Sequence, residues 1–286
     1  MTGVGPRKAL LGALVLTAFL AGCDGTFGER EGFGPGGVPI ENYTAKQIFE
    51  RGEYELNRAK PDRAAHFFAE VERLYPYSDW AKRALIMQAY SFHQDRDYEN
   101  SRSAAQRYID FYPLDDDAAY AQYLLALSYY DQIEEVGRDQ GLTFQALQAL
   151  RAVIERYPDS EYARSAVLKF DLAFDHLAAK EMEIGRYYLK HGHFTAAINR
   201  FRVVVEQFQT TSHTPEALHR LVEAYLSLGI TDEAQTAGAI LGHNFQSTVW
   251  YEDSYRLLTK HGLAPEAKGN SWLATIYRRV IRGEWL

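Results

Sequence analysis

Nine histidines, one cysteine and 38 acidic residues are the side chains of this 286-residue chain from which a catalytic or metal site would be drawn. A helix-borne zinc protease site sets two histidines one helical turn apart with a glutamate beside the first, and no His-Glu-x-x-His stands in the sequence. The tightest pair, His191-Gly192-His193, lies between two helical runs, where polar turn residues are expected. One cysteine excludes an intramolecular disulfide and every multi-cysteine zinc or iron–sulfur site. No glycine-rich phosphate loop follows a strand, and no Gly-x-Ser-x-Gly elbow occurs. The neighbouring carboxylates Glu134 and Glu135 adjoin a charged helix end and read as solvated. With 31 basic residues the formal net charge is -7, so no basic field is available to hold a nucleic-acid backbone. The inventory therefore predicts no catalytic residue, no metal and no nucleic-acid partner, and points to binding.

The cysteine is explained by its position. Arg7 and Lys8 precede the apolar run from Ala9 to Leu20, and Leu20-Ala21-Gly22-Cys23 follows. The run is shorter than the ~20 residues of a membrane-spanning helix and ends in small residues, the layout of a secretory signal peptide over 1–22. Leu-Ala-Gly-Cys resembles a bacterial lipobox, which makes Cys23 the lipid attachment site and the covalent lipid the only added group expected. Several acyl chains, each contributing ~0.8 kcal/mol per buried methylene, hold a soluble body at a membrane where one chain is marginal. Removal of 1–22 leaves 264 residues with 29 basic and 38 acidic side chains, a formal charge of -9. Asp24, directly after the cysteine, resembles an inner-membrane retention signal of enteric bacteria. Asp24 to Pro39 holds six glycines and two prolines, so 23–40 reads as lipidated cysteine plus flexible tether, ~20–25 Å end to end.

From residue 41 onward apolar residues recur three and four apart, the helical period, with almost no strict alternation. Leu74-Tyr75-Pro76, Phe111-Tyr112-Pro113 and Arg156-Tyr157-Pro158 mark helix stops, because proline cannot continue a helix. Counting back, Ala64, Phe68 and Val71 before Pro76 take the same offsets as Ala146, Leu150 and Val153 before Pro158 and as Ala197, Phe201 and Val204 before Gln209, where the proline is missing. A small residue recurs ahead of two large ones, with Ser101 and Ala234 at the small position of the less complete repeats. This resembles the tetratricopeptide repeat, in which two helices cross at a small residue and a large one fills the next groove. The fold class expected is all-α, a tetratricopeptide-like solenoid of about five helical pairs. Surplus length falls near Gln132 to Leu142 and in a long helix from about Tyr162 to Lys190.

Aromatics make up 14% of the chain, 20 of them tyrosines. At helical spacing Tyr90, Tyr123 and Tyr188 read first as packing residues, and a minority of tyrosines remains for a concave groove that takes an extended peptide. Arg278, Arg279 and Arg282 give the segment 263–286, helix-like from Ser271 to Arg282, a local positive charge. That segment reads equally as a docking face for an acidic partner and as a solvated helix face.

Lipobox, glycine-rich tether and helical pairs together resemble the BamD family, also called the ComL or YfiO type, lipoproteins of the outer-membrane β-barrel assembly machine. The stretches that carry this beyond a generic repeat are Gly185-Arg186-Tyr187-Tyr188-Leu189-Lys190, Phe194-Thr195-Ala196-Ala197-Ile198-Asn199-Arg200-Phe201, and Ser128-Tyr129-Tyr130-Asp131-Gln132-Ile133 with Arg138-Asp139-Gln140. The resemblance implies a non-enzymatic scaffold on the periplasmic face of the outer membrane, a location with which Asp24 sits badly. It implies that 41–160 receives unfolded outer-membrane protein precursors, with Tyr90, Tyr123, Tyr129, Tyr130, Arg138 and Asp139 as candidate contacts. It implies that 161–262 contacts a BamA-type insertase through a POTRA domain, with Tyr187, Tyr188, Asn199 and Arg200 as candidates. Arg278, Arg279 and Arg282 are candidate contacts for accessory assembly lipoproteins. Arg200 reads either as a guanidinium for an acidic partner residue or as an ordinary surface arginine. The competing function is a periplasmic repeat lipoprotein that coordinates cell-wall synthesis or division, although no sustained heptad run precedes residue 44.

Overall fold

A computed structural model describes residues 38–284. Cys23, the signal run and most of the tether lie outside the described residues. The chain divides into two units, Met1–Tyr43 and Thr44–Leu286. In the first, the described part holds one 3-10 turn, Ile40–Asn42. The second contains α1 (Ala45–Asn57), α2 (Pro61–Leu74), α3 (Asp79–Gln94), α4 (Tyr98–Phe111), α5 (Ala118–Tyr130), α6 (Gly141–Arg156), α7 (Glu161–Lys190), α8 (Phe194–Gln207), α9 (Thr214–Ser227), α10 (Thr231–Asn244), α11 (Val249–Lys260) and α12 (Trp272–Ile281).

Local chemistry sets these boundaries. Thr44 and Gln47 form a reciprocal capping box at the start of α1, and Ser78, Asp97, Thr248 and Ser271 accept backbone N–H bonds in the first turns of α3, α4, α11 and α12. Each satisfies donors that a helix start leaves without partners. The first helix of a pair ends in a residue of positive φ at Ala59, Arg96, Gly192, Gly229 and Gly262. Glycine takes that left-handed conformation freely, whereas Ala59 and Arg96 hold it at a cost of ~1–2 kcal/mol. After α5 the tight turn is replaced by the loop 131–140, where the sequence carries surplus length.

From α1 to α10 each first helix packs on its second, and α1, α3, α5, α7, α9 and α11 also stack on one another in series. The repeat offsets are the reason. Ala64, Ser101, Ala146, Ala197 and Ala234 are all fully buried at the helix crossings, as are Phe68, Ala105, Leu150 and Phe201 one turn later. In the first pair a small residue faces a large one. An added Cβ on Gly52 of α1 would lie 2.6 Å from the Phe68 ring, so only a hydrogen fits opposite that phenylalanine. In α10 the large position is Gly238 instead, and Leu258 of α11 occupies the space, with Cδ1 2.7 Å from where a Cβ would stand. Burying one such Leu or Phe contributes about 1.5–3 kcal/mol.

Five pairs, α1 to α10, carry the small position, and two further helices that the repeat signature does not mark close the end, α11 against α9 and α10, and α12 against α10. The C-terminal segment is helical, as its sequence suggests, but it is part of the core. Leu273, Ile276 and Val280 join the cluster built by α8, α9 and α10, and Trp272 donates its indole N–H to the Tyr225 hydroxyl at 3.1 Å. The 30-residue α7 packs against α6 and against α8, so the point between residues 160 and 161 is not a break in the packing. Among the described residues no helix is long and apolar enough to cross a membrane.

Candidate partner-binding face on α7 and α8

The close crossing of Gly185 under Phe201 brings the last turns of α7 beside α8, and with them three of the four candidate insertase contacts. Tyr188, Ala196, Asn199, Arg200 and Val203 line an open cleft of about 290 Å³. Asn199 is exposed, and Tyr188 is half-buried and packed against the core with only part of its ring free. Tyr187 does not line the cleft. It is 58% exposed, meets Tyr188 edge-on at 5.8 Å and lies against the His191 ring at 4.2 Å. Asn199, Arg202, Val203 and Glu206 share one stripe of α8, being three, four and seven residues apart. The stripe leads to a second cleft of about 400 Å³ between α8 and α12, lined by Glu206, Trp272 and Arg279 among others. Arg202 sits between the two, bonded to Glu206 at 2.9 Å with its guanidinium 5.0 Å from the Trp272 ring.

Arg200 is more constrained than a free surface arginine. Its Nη1 donates to Glu181 Oε2 on α7 at 3.0 Å, and 41% of its side chain remains exposed. The pair fixes the guanidinium at the cleft while leaving donors for an incoming acceptor.

Behind this face runs a polar network that the spacing of residues does not announce. Arg186 of α7 makes a two-pronged contact with Glu216 of α9, 2.8 Å through Nε and 2.5 Å through Nη2. Arg220 bonds both Glu216, at 3.3 Å, and Glu223, at 2.8 Å. His219 lies 3.6 Å from Glu223 through Nε2 and 2.8 Å from Ser254 Oγ of α11 through Nδ1. Burial pushes the Glu216 carboxyl up, but hydrogen bonds and charge from Arg186 and then Arg220 hold it below its ordinary value. Glu223 is likewise raised by burial and brought lower overall by His219 and Arg220. The Ser254–His219–Glu223 sequence has the partners of a nucleophile and base, but Ser254 is fully buried, so its hydroxyl is closed to solvent. The network joins α7, α9 and α11 and positions the face in front of it.

The candidate precursor contacts are not gathered in one place. Tyr123 is buried and stacks on Tyr162 at 5.5 Å, a packing role that takes it off any groove surface. Tyr90 is half-buried against the cluster around Leu85 and Tyr108, so it too packs. Tyr129 lies under Arg102 at 4.6 Å, and Tyr130 faces Lys169 at 5.3 Å. Arg138 and Asp139 are exposed in the 131–140 loop, where Asp139 accepts the Gly141 N–H at 3.0 Å and Lys180 of α7 donates to the carbonyls of Gly137 and Arg138. Of the basic C-terminal candidates, Arg279 lines the α8–α12 cleft, Arg278 bonds Thr275 at 3.0 Å and Arg282 pairs with Glu284 at 2.8 Å. Among the described residues no group of three or more His, Cys, Asp or Glu is placed to hold a metal.

Comparison with known proteins places this geometry in context. Residues 41–240 match the family model YfiO, described as an outer membrane lipoprotein. The chain is 46% identical over 261 residues to the outer membrane protein assembly factor BamD of Caulobacter vibrioides, covering 91% of this chain and 84% of that protein. It is 38% identical over 254 residues to the protein of the same name from Rickettsia prowazekii, covering 89% and 98%. Likeness to solved structures is looser: a thermophilic TPR protein from Thermus thermophilus aligns with 77% of this chain and 100% of its own, at TM-score 0.35 and 18% identity.

Proposed function

The chain belongs to the YfiO family of outer membrane lipoproteins, and on that premise we propose that it is a scaffold component of the machinery that assembles outer-membrane proteins. It works by binding and positioning, without a covalent step, and is held at the periplasmic face of the outer membrane by lipid on Cys23. The insertase docks on the α7–α8 face through Tyr187, Tyr188, Asn199 and Arg200. Unfolded precursors enter through the N-terminal pairs, where Tyr129, Tyr130, Arg138 and Asp139 are the remaining candidates. The basic side chains of α12 are left for accessory lipoproteins.

The observation that carries this reading is the convergence of Tyr188, Asn199 and Arg200 around one open cleft, from helices joined by a close glycine–phenylalanine crossing. An Arg200–Glu181 pair at the mouth supplies a fixed donor for an acidic residue of the partner, and the flanking tyrosines supply apolar contact at low entropic cost. The test is binding of the isolated membrane-proximal POTRA domain of the insertase from the same organism, with the cleft intact and with Arg200 reversed in charge. Undiminished binding after that reversal contradicts the assignment of the cleft.

A further inference from the structure

A groove outside the α7–α8 face has the composition of a docking site. Where α6 and α8 pass over the middle of α7, Phe144, Leu147, Phe170, Phe174, Leu177 and Phe208 line an opening of about 280 Å³. Its floor is well packed: Phe174 meets Phe170 at 5.8 Å and Phe208 at 4.9 Å. Its lip is not, because Phe144, on the first turn of α6, is 56% exposed. The volume lies just below the ~300–1,000 Å³ of sites that enclose a whole small ligand, so the groove suits side chains of a larger partner.

The rim fixes the kind of partner. The polar residues around the opening are Gln148, Arg151 and Gln207, and the groove lining contains no carboxylate. Arg151 is the one charged group among them. It is exposed, its guanidinium lies 5.5 Å from the Phe170 ring, and no ion pair to it is formed among the described residues. An arginine on an aromatic face keeps its planar donor fork available to a carboxylate. Arg186 and Arg220, in the network behind the α7–α8 face, are already paired with carboxylates, which sets Arg151 apart from them.

We propose that the groove between α6 and α8 is a second docking site, which takes the apolar face of a short amphipathic helix carrying an aromatic anchor and an adjacent Asp or Glu that pairs with Arg151. The anchor fills the space over Phe170 and Phe174, Phe144 closes over it, and the glutamines bond polar groups at the edge, the arrangement by which grooves hold helical segments. The site stands on α6, α7 and α8 alone and does not depend on which partner occupies the Tyr188–Asn199–Arg200 cleft.

The probe is a fluorescein-labelled helical peptide with Phe and Leu four residues apart and Glu on the flanking positions, titrated against the processed full chain in mild detergent and read by fluorescence anisotropy. Two control peptides replace Glu by Lys, and Phe by Ala. Saturable binding of the Glu peptide is expected, at least tenfold tighter than either control. Phe144→Ala weakens it at least tenfold, and Arg151→Glu abolishes it while giving measurable binding to the Lys peptide. Both positions are exposed, so the helical circular dichroism and melting of each variant stay as in the parent. No saturable binding to the parent chain, equal binding of Glu and Lys peptides, or binding that ignores both substitutions overturns the proposal.

Discussion

Gly185 of α7 sits directly against the ring of Phe201 of α8, so that a single carbon added at Gly185 would overlap that ring. Gly52 and Phe68 repeat the relationship in the first pair. Both glycines lie within helices, where alanine ordinarily improves stability by ~1 kcal/mol. Here Gly185→Ala is expected to destabilise, by about 1–3 kcal/mol, since the overlap forces α7 and α8 apart. Adding Phe201→Leu should recover part of the loss. Urea unfolding of the two single variants and the double variant checks the coupling, and additive effects would show that the crossing is not set by this contact.

The α7–α9 tie has a pH signature. Glu216 is held below its ordinary value by Arg186 and Arg220 against the opposing effect of burial. A depressed folded-state value means its contribution to stability is full above the ordinary glutamate value of 4.5 and is lost as pH falls below it. Glu216→Gln should therefore lower stability by roughly 1 kcal/mol near pH 7, the part-exposed Arg186 limiting the size. The gap between variant and parent should narrow below pH 4. Thermal melts at pH 7 and pH 3.5 decide it, and a constant gap would mean the carboxylate charge is not what matters.

Arg200 and Glu181 form a pair whose partners can be exchanged. Arg200→Glu alone leaves two acidic groups facing each other at the cleft and should weaken POTRA-domain binding at least tenfold with helical content unchanged. Glu181→Arg added to it should restore stability, yet not affinity, if Arg200 itself meets an acidic partner residue. Recovery of affinity together with stability would show instead that the pair acts by holding α7 to α8. Calorimetric titration beside melting curves separates the two.

Cys23→Ser tests the anchor. The variant should be recovered from the soluble fraction or with its signal peptide retained, and fractionation followed by intact-mass measurement reads both. Membrane retention at the parent level by a chain that has lost its signal peptide and carries no lipid mass would contradict anchoring through Cys23.

The helices and their register were legible because a solenoid repeats one packing solution, so that Ala64, Ala146 and Ala197 carry the same burial at the same offset from a helix stop. The fifth pair was less legible, since Gly238 of α10 replaces the large residue and Leu258 from α11 fills the space. At the face, Tyr188, Asn199 and Arg200 could be found because they lie within two short stretches of one hairpin. Arg186 and Glu216 are 30 residues apart, and Arg200 and Glu181 are 19 apart, on helices whose charged positions read individually as solvated. Tyr123 shows the converse: helical spacing marks a tyrosine as facing something, and only the neighbour Tyr162 shows that it packs.

The central claim, that this chain is a scaffold of outer-membrane protein assembly, is tested most directly by purifying the tagged chain from gently solubilised membranes and identifying by mass spectrometry what comes with it. The account predicts a POTRA-containing outer-membrane barrel in the parent preparation, depleted when Arg200 is changed to Glu. Recovery of cell-wall synthases or division proteins without such a barrel would contradict it.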